Sequence, residues 1–160
     1  MRLPLKILFI CTHNRCRSIL CEAISNQLGG DKLLARSAGS QPSGVVHPLS
    51  LHYLAAEGIN TNELRSESWD AHQDFNPDLT ITVCDSAANE ECPLWLGSAI
   101  KLHWGLQDPS NFQGSEEEVA RAFSHCINEI QSRTKALLAL DIGKLDLSAL
   151  ARSLKALGAK

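Results

Sequence analysis

Cys11-Thr12-His13-Asn14-Arg15-Cys16-Arg17-Ser18 is the octet around which the chain can be read. Before it runs Leu5 to Ile10, apolar except for Lys6, which reads as a buried strand. After it, Ile19, Leu20, Ala23, Ile24 and Leu28 recur at helical spacing. The octet is therefore a strand-to-helix turn, where the free N–H groups of a helix start point into a loop and favour anions. Cys11 opens the loop and Arg17 closes it, so a loop that curls round returns the guanidinium toward the sulfur. Ser18 is placed to cap the helix and to donate to a thiolate. A thiol among amides, a helix N-terminus and an Arg is expected to have a lowered pKa. An Arg fork also suits a tetrahedral oxyanion, which it can hold bidentately. A buried strand-end Cys followed by a solvated Arg is the plainer reading. It leaves the Cys-x5-Arg-Ser spacing unexplained.

Outward from the octet, 160 residues suffice for one domain with its own core. The content is 44% apolar and 21% charged, ordinary for a globular chain. A net charge of −3 argues against a nucleic-acid footprint. No apolar run is long enough to span a bilayer, and the first residues carry no signal-peptide cleavage pattern. A cytoplasmic protein is expected, with its thiols kept reduced. The six Cys are then buried residues, metal ligands or redox groups rather than a disulfide framework.

The rest of the chain alternates. Leu33 to Ser37 reads as a strand after the Gly29-Gly30 helix stop. Pro48 opens a helix to about Glu57 with Leu51, Leu54 and Ala55 on one face, stopped by Gly58. A short helix within Ser66 to Asp74 has Trp69 as its buried anchor. Leu79 to Val83 is a β-branched strand ending in Cys84, and Ala99 to Trp104 is a fourth. Ser115 and Glu116 to Glu118 start a helix that runs to about Leu140. Leu147, Leu150, Ala151, Leu154 and Leu157 mark a short amphipathic helix at the end. This pattern predicts an α/β fold, a single domain with a central, mostly parallel four-stranded sheet, helices on both faces and an extra C-terminal helix. Residues 1–140 form the expected catalytic domain, and 141–160 an extension. In such sheets ligands lie at the C-terminal ends of strands. Cys11, Ser37, Cys84 and the loop carrying Asp108 all lie there, which predicts one shared site.

Cys84 and Cys92 decide between two kinds of chemistry. A hydrolytic phosphatase needs one Cys, because water resolves the phospho-enzyme. A redox reaction needs further thiols to supply electrons: one beside the loop to attack Cys11, and a second to carry the disulfide outward. Both also have bland readings, Cys84 as a strand-end thiol and Cys92, before Pro93, as a turn residue. Cys84, Cys92, Cys126 and His125 match no common zinc spacing, so no metal is expected.

The octet resembles the signature of the low-molecular-weight protein tyrosine phosphatase superfamily. The Cys84…Cys92-Pro93 segment, His103-Trp104-Gly105, Asp108-Pro109 and Gly114-Ser115-Glu116-Glu117-Glu118 narrow the resemblance to the three-Cys, thioredoxin-coupled arsenate reductases of that superfamily, over about Leu5 to Leu140. The resemblance implies that Cys11 attacks arsenate held by Thr12, His13, Asn14, Arg15, Cys16 and Arg17. It implies that Ser18 lowers the Cys11 pKa, that Asn14 ties the loop together, and that Asp108 is the general acid. Cys84 would then attack Cys11 and release arsenite, and Cys92 would attack Cys84 to leave a disulfide for thioredoxin. It implies no cofactor, a monomer, weak phosphatase activity, and phosphate or sulfate as competing oxyanions. Members of the phosphatase branch commonly carry an aromatic residue after Asp-Pro to stack on phosphotyrosine. Here Ser110 follows, which weakens the alternative of a phosphatase acting on phosphotyrosine or small phosphomonoesters. A non-catalytic oxyanion-binding module is disfavoured because it gives Asp108 no task. Some members bind potassium through residues matching Asn14, Glu22 and Ser37. Here Arg65, in Arg65-Ser66-Glu67, is expected to supply that positive charge, so no potassium dependence is predicted.

Overall fold

Four parallel strands, β1 (Leu5–Ile10), β2 (Leu33–Ala38), β3 (Leu79–Thr82) and β4 (Ile100–His103), form a sheet in the order β2-β1-β3-β4. The computed structural model describes residues 3–84 and 99–158. Cys92 and Pro93 lie outside the described residues. β1 is flanked on both sides, so its alternating side chains must find apolar cover on both faces. Ile7 and Phe9 on one face and Leu8 and Ile10 on the other are all buried, which accounts for its near-continuous hydrophobicity. The doubly covered four-stranded α/β sheet predicted from the alternation is the observed architecture.

Four α-helices occur among the described residues. They are α1 (Arg17–Gly29), α2 (Pro48–Ala56), α3 (Glu116–Ala139) and α4 (Leu147–Gly158). α1 packs its Ile19, Leu20, Ala23 and Ile24 into the core, as its spacing requires. α3 starts on the expected capping box. Ser115 Oγ accepts from the Glu118 N–H, and Glu118 Oε1 accepts from the Ser115 N–H, each at 3.2 Å. Phe123 of α3 is fully buried and stacks on Tyr53 of α2, ring centroids 4.7 Å apart. Asp146 caps α4 by accepting from the Ala149 N–H at 2.7 Å. Leu150 and Leu154 of α4 are buried in the same core cluster as the strands.

Three local expectations are corrected. In α2 the buried residues are Ser50 and Leu54, while Ala55 is exposed. The helix is oriented by the octet beside it, because Ser50 Oγ donates to the Arg15 carbonyl. The stretch around Trp69 forms only a 3₁₀ turn, Trp69–His72, and Trp69 is half-buried rather than an anchor. Ser18 does not cap α1. Its Oγ instead accepts from Asn14 Nδ2 at 2.8 Å.

Candidate active site

The octet is shaped from outside by its carbonyls. The Thr12 carbonyl accepts from Gln41 N–H, the His13 carbonyl from Ser43 N–H and Ser66 Oγ, and the Arg15 carbonyl from His47 N–H and Ser50 Oγ. A peptide plane that turns its C=O outward turns the next residue's N–H inward. The N–H groups of His13, Asn14 and Cys16 therefore face the hollow. Asn14 takes φ 47°, a left-handed conformation that Asn tolerates and that closes successive amides into an anion-binding nest. Its buried side chain holds that conformation. Nδ2 donates to Ser18 Oγ (2.8 Å) and Ser37 Oγ (3.0 Å), and Oδ1 accepts from the Glu67 N–H (2.8 Å).

Gly39, just past β2, is a site residue that the sequence reading did not single out. A Cβ there would lie 2.5 Å from the Thr12 oxygen, 2.8 Å from the Cys11 oxygen and 3.1 Å from the Asn14 nitrogen. Only glycine lets this strand end lie against the loop. The available signal was a Gly directly after a strand, which is also an ordinary turn mark.

Cys11 and Cys84 are brought together by strand register. Ile10 pairs with Thr82 across β1 and β3, and the ladder continues one step through Val83 N–H to the Ile10 carbonyl at 3.0 Å. Both thiols are buried, and they lie beside each other at these strand ends. Thr12 Oγ1 lies 3.7 Å from Cys84 Sγ. The sulfur contact corrects the expectation of a simply depressed Cys11 pKa. The hydrogen bond with Cys84, then burial, hold the last Cys11 proton well above the ordinary thiol range, while the Arg17 charge and the His13 N–H pull the other way.

Arg17 Nη1 donates to the Leu106 carbonyl at 3.0 Å, and Nη2 lies 3.6 Å from Asp108 Oδ2. Its Nε is buried without a hydrogen-bond partner. A buried charged donor left open requires an explanation, and an oxyanion in the hollow supplies one. Asp108 Oδ1 accepts from the Ser110 N–H (2.9 Å) and Ser110 Oγ (2.6 Å). The predicted acid and the predicted guanidinium are thus adjacent.

Among the other predicted cradle residues, His13 is exposed, and its Nδ1–H donates to the Gln41 carbonyl at 3.1 Å. Arg15 contributes its carbonyl to the loop's outer bonds. Cys16 is buried. Burial pushes the Cys16 thiol up to about 11, with the Ser50 and Ser110 hydroxyls against it. Burial likewise pushes Cys126 up to about 12 and holds Cys21 well above the usual thiol range. Neutral thiols of this kind are packing residues.

Behind the loop, Ser37 Oγ donates to Glu22 Oε1 at 2.6 Å. Glu22 is pushed up to about 7, chiefly by burial, against the Ser37 hydrogen bonds, with Glu67 adding to the rise and Arg36 opposing it. Arg65 is exposed and lines the same hollow as Glu22 and Arg36, and Arg36 lies 4.4 Å over the Phe75 ring. No group of His, Cys, Asp and Glu fit to hold a metal ion occurs among the described residues.

A thiol at the mouth of an amide nest, flanked by an arginine and a carboxylate on a parallel four-stranded sheet, defines a phosphatase-type oxyanion site. The low molecular weight phosphotyrosine protein phosphatase family matches residues 6–153, and this chain belongs to that family. Its relatives narrow the class. The arsenate reductase of Bacillus subtilis (strain 168) is 35% identical over 129 residues, 81% of this chain and 91% of that protein. The solved structure of an arsenate reductase in the phosphate-binding state superposes with a TM-score of 0.69 at 25% identity, over 84% of this chain and 96% of that one. A thioredoxin-dependent arsenate reductase of Corynebacterium glutamicum superposes with a TM-score of 0.60 at 26% identity, over 84% of this chain and 64% of that one.

Proposed function

We propose that this protein reduces arsenate to arsenite by a thiol relay through Cys11, Cys84 and Cys92, with electrons from thioredoxin. The observation that carries the reading is Cys84, set beside the Cys11 nucleophile by the register of β1 against β3. A hydrolase has no use for a second thiol in contact with its nucleophile. The inward amides, the open Nε of Arg17 and its Nη groups hold a tetrahedral oxyanion. The Cys11 sulfur attacks arsenic as its proton passes to an arsenate oxygen; an S–As bond forms and an As–O bond breaks. The departing hydroxide leaves as water with a proton from Asp108. Cys84 then attacks the Cys11 sulfur. The electron pair of the S–As bond goes to arsenic, which leaves as arsenite. Cys92 attacks Cys84 and frees Cys11, and a thioredoxin dithiol reduces the Cys84–Cys92 disulfide.

The protein acts in the cytoplasm as a monomer, with residues 1–140 as the catalytic unit and 141–160 as its extension. Within the described residues no helix is long and apolar enough to cross a membrane. NADPH consumption with thioredoxin, thioredoxin reductase and arsenate tests the relay. Wild type turns over steadily, and Cys92→Ser stops after about one turnover. Steady turnover by Cys92→Ser would refute the third thiol. Hydrolysis of a phosphomonoester without any NADPH consumption would refute the reduction itself.

A further inference from the structure

We propose that Ser110 is a positioning residue for the acid step, and that it selects which oxygen of Asp108 carries the proton. This rests on the arsenate-reduction reading above. Asp108 is the N-cap of the 3₁₀ turn Pro109–Asn111, and its Oδ1 accepts the Ser110 N–H at 2.9 Å. Any residue at 110 can supply that N–H. Only a hydroxyl residue supplies the second donor, Ser110 Oγ at 2.6 Å, in the short range of a charge-assisted bond.

With two donors on Oδ1, that oxygen has no room for a proton of its own. Oδ2 lies on the Arg17 side, 3.6 Å from Nη2, where an oxyanion held by the guanidinium presents its oxygens. The proton is thereby placed on the oxygen that faces the departing hydroxide. In the transfer the Oδ2–H bond breaks as the hydroxide takes the proton and leaves as water. The carboxylate that remains keeps both Oδ1 hydrogen bonds. Ser110 therefore does more than vacate the place of an aromatic residue.

The test is a kinetic cycle on the full chain with thioredoxin, thioredoxin reductase and arsenate. Ser110→Ala is expected to lower kcat about tenfold while KM for arsenate stays within about twofold. Ser110→Thr, which keeps the hydroxyl, is expected to restore kcat to within about twofold. In an Asp108→Asn background, Ser110→Ala is expected to change kcat no further. The same tenfold loss with Asn at 108, an unrescued Thr variant, or an unchanged Ala variant would each overturn the proposal. A wild type that consumes no NADPH with arsenate would overturn the function proposed above. In that case a urea-unfolding cycle on the same variants still decides the contact. Additive effects of Ser110→Ala and Asp108→Asn on the midpoint would refute it, and non-additive effects would uphold it.

Discussion

Replacing Gly39 by Ala tests whether loop shape, rather than loop sequence, makes the site. The added Cβ would sit 2.5 Å from the Thr12 oxygen and 2.8 Å from the Cys11 oxygen. Ordinary contact begins near 3.4 Å, so one of these backbone segments must retreat by about 0.9 Å. No flexible side-chain tip can absorb that shift, because all three nearest atoms are backbone. Gly39 is itself pinned by its N–H to the Glu67 carbonyl (2.9 Å) and by its own carbonyl to the Trp69 N–H (3.1 Å). The octet therefore moves. Overpacking of this kind costs about 1–3 kcal/mol, and a misplacement near 1 Å at a reacting centre costs about 100-fold in rate. Urea unfolding and calorimetric titration with phosphate measure the two effects. Gly39→Ala is expected to lose about 2 kcal/mol of stability and at least tenfold in phosphate affinity. Gly44→Ala is the comparison: its Cβ meets nothing within 4 Å, but φ is 81°. It is expected to cost about 1–2 kcal/mol of stability with phosphate affinity unchanged. A Gly39→Ala protein that binds phosphate like wild type would refute the steric argument.

Asn14→Ala removes two buried hydrogen bonds and a partly buried one and leaves Ala at φ 47°, so a loss of about 3–5 kcal/mol is expected by urea unfolding. Asn14→Gly, free of the backbone strain, is expected to be about 1 kcal/mol better than Ala. Glu22 loses its proton near pH 4.5 when unfolded and near 7 when folded. Between these values the folded state binds more protons, so this group's contribution to stability falls as pH rises from about 4.5 to 7. Wild type is expected to lose on the order of 2 kcal/mol over that range relative to Glu22→Gln, and parallel pH profiles for the two proteins would contradict it. Activity in sodium and potassium buffers is expected to agree within about twofold, since Asn14 Oδ1 is taken by Glu67 N–H and Glu22 Oε1 by Ser37. Several-fold activation by potassium would contradict that closure.

The features read most directly from the sequence are those encoded within a few residues of one another. The apolar run of β1, the spacing of α1 and the Ser115–Glu118 capping box all depend on local periodicity or chemistry, and each stands where its pattern put it. The convergence of Cys11, Cys84 and Asp108 followed from a rule about strand ends. What stayed hidden depends on neighbours distant in sequence. Gly39 is needed only because the octet lies against it. Ser18 resembles a cap, but Asn14 reaches it first. The Cys11 proton is governed by a thiol 73 positions away, which no local inventory of amides and guanidinium contains. The α2 stripe was misread because the helix is anchored through the Ser50 hydroxyl on the octet, so a polar residue takes the buried place of Ala55.

The register of β1 against β3 has a consequence for how such chemistry can arise or be engineered. Neighbouring strands lie about 4.8 Å apart wherever they pair. A residue at the end of β3 therefore stays at a fixed distance from the nucleophile, whatever happens in the loops. Installing a second sulfur beside the first needs a single codon and no rebuilding of the backbone. The costly component of a redox centre is usually a pair of thiols in the right place. Here the hydrogen-bond ladder supplies that placement for positions 11 and 84, so on the relay proposed above the second sulfur needs only a side chain just past β3, and Cys92 supplies the third.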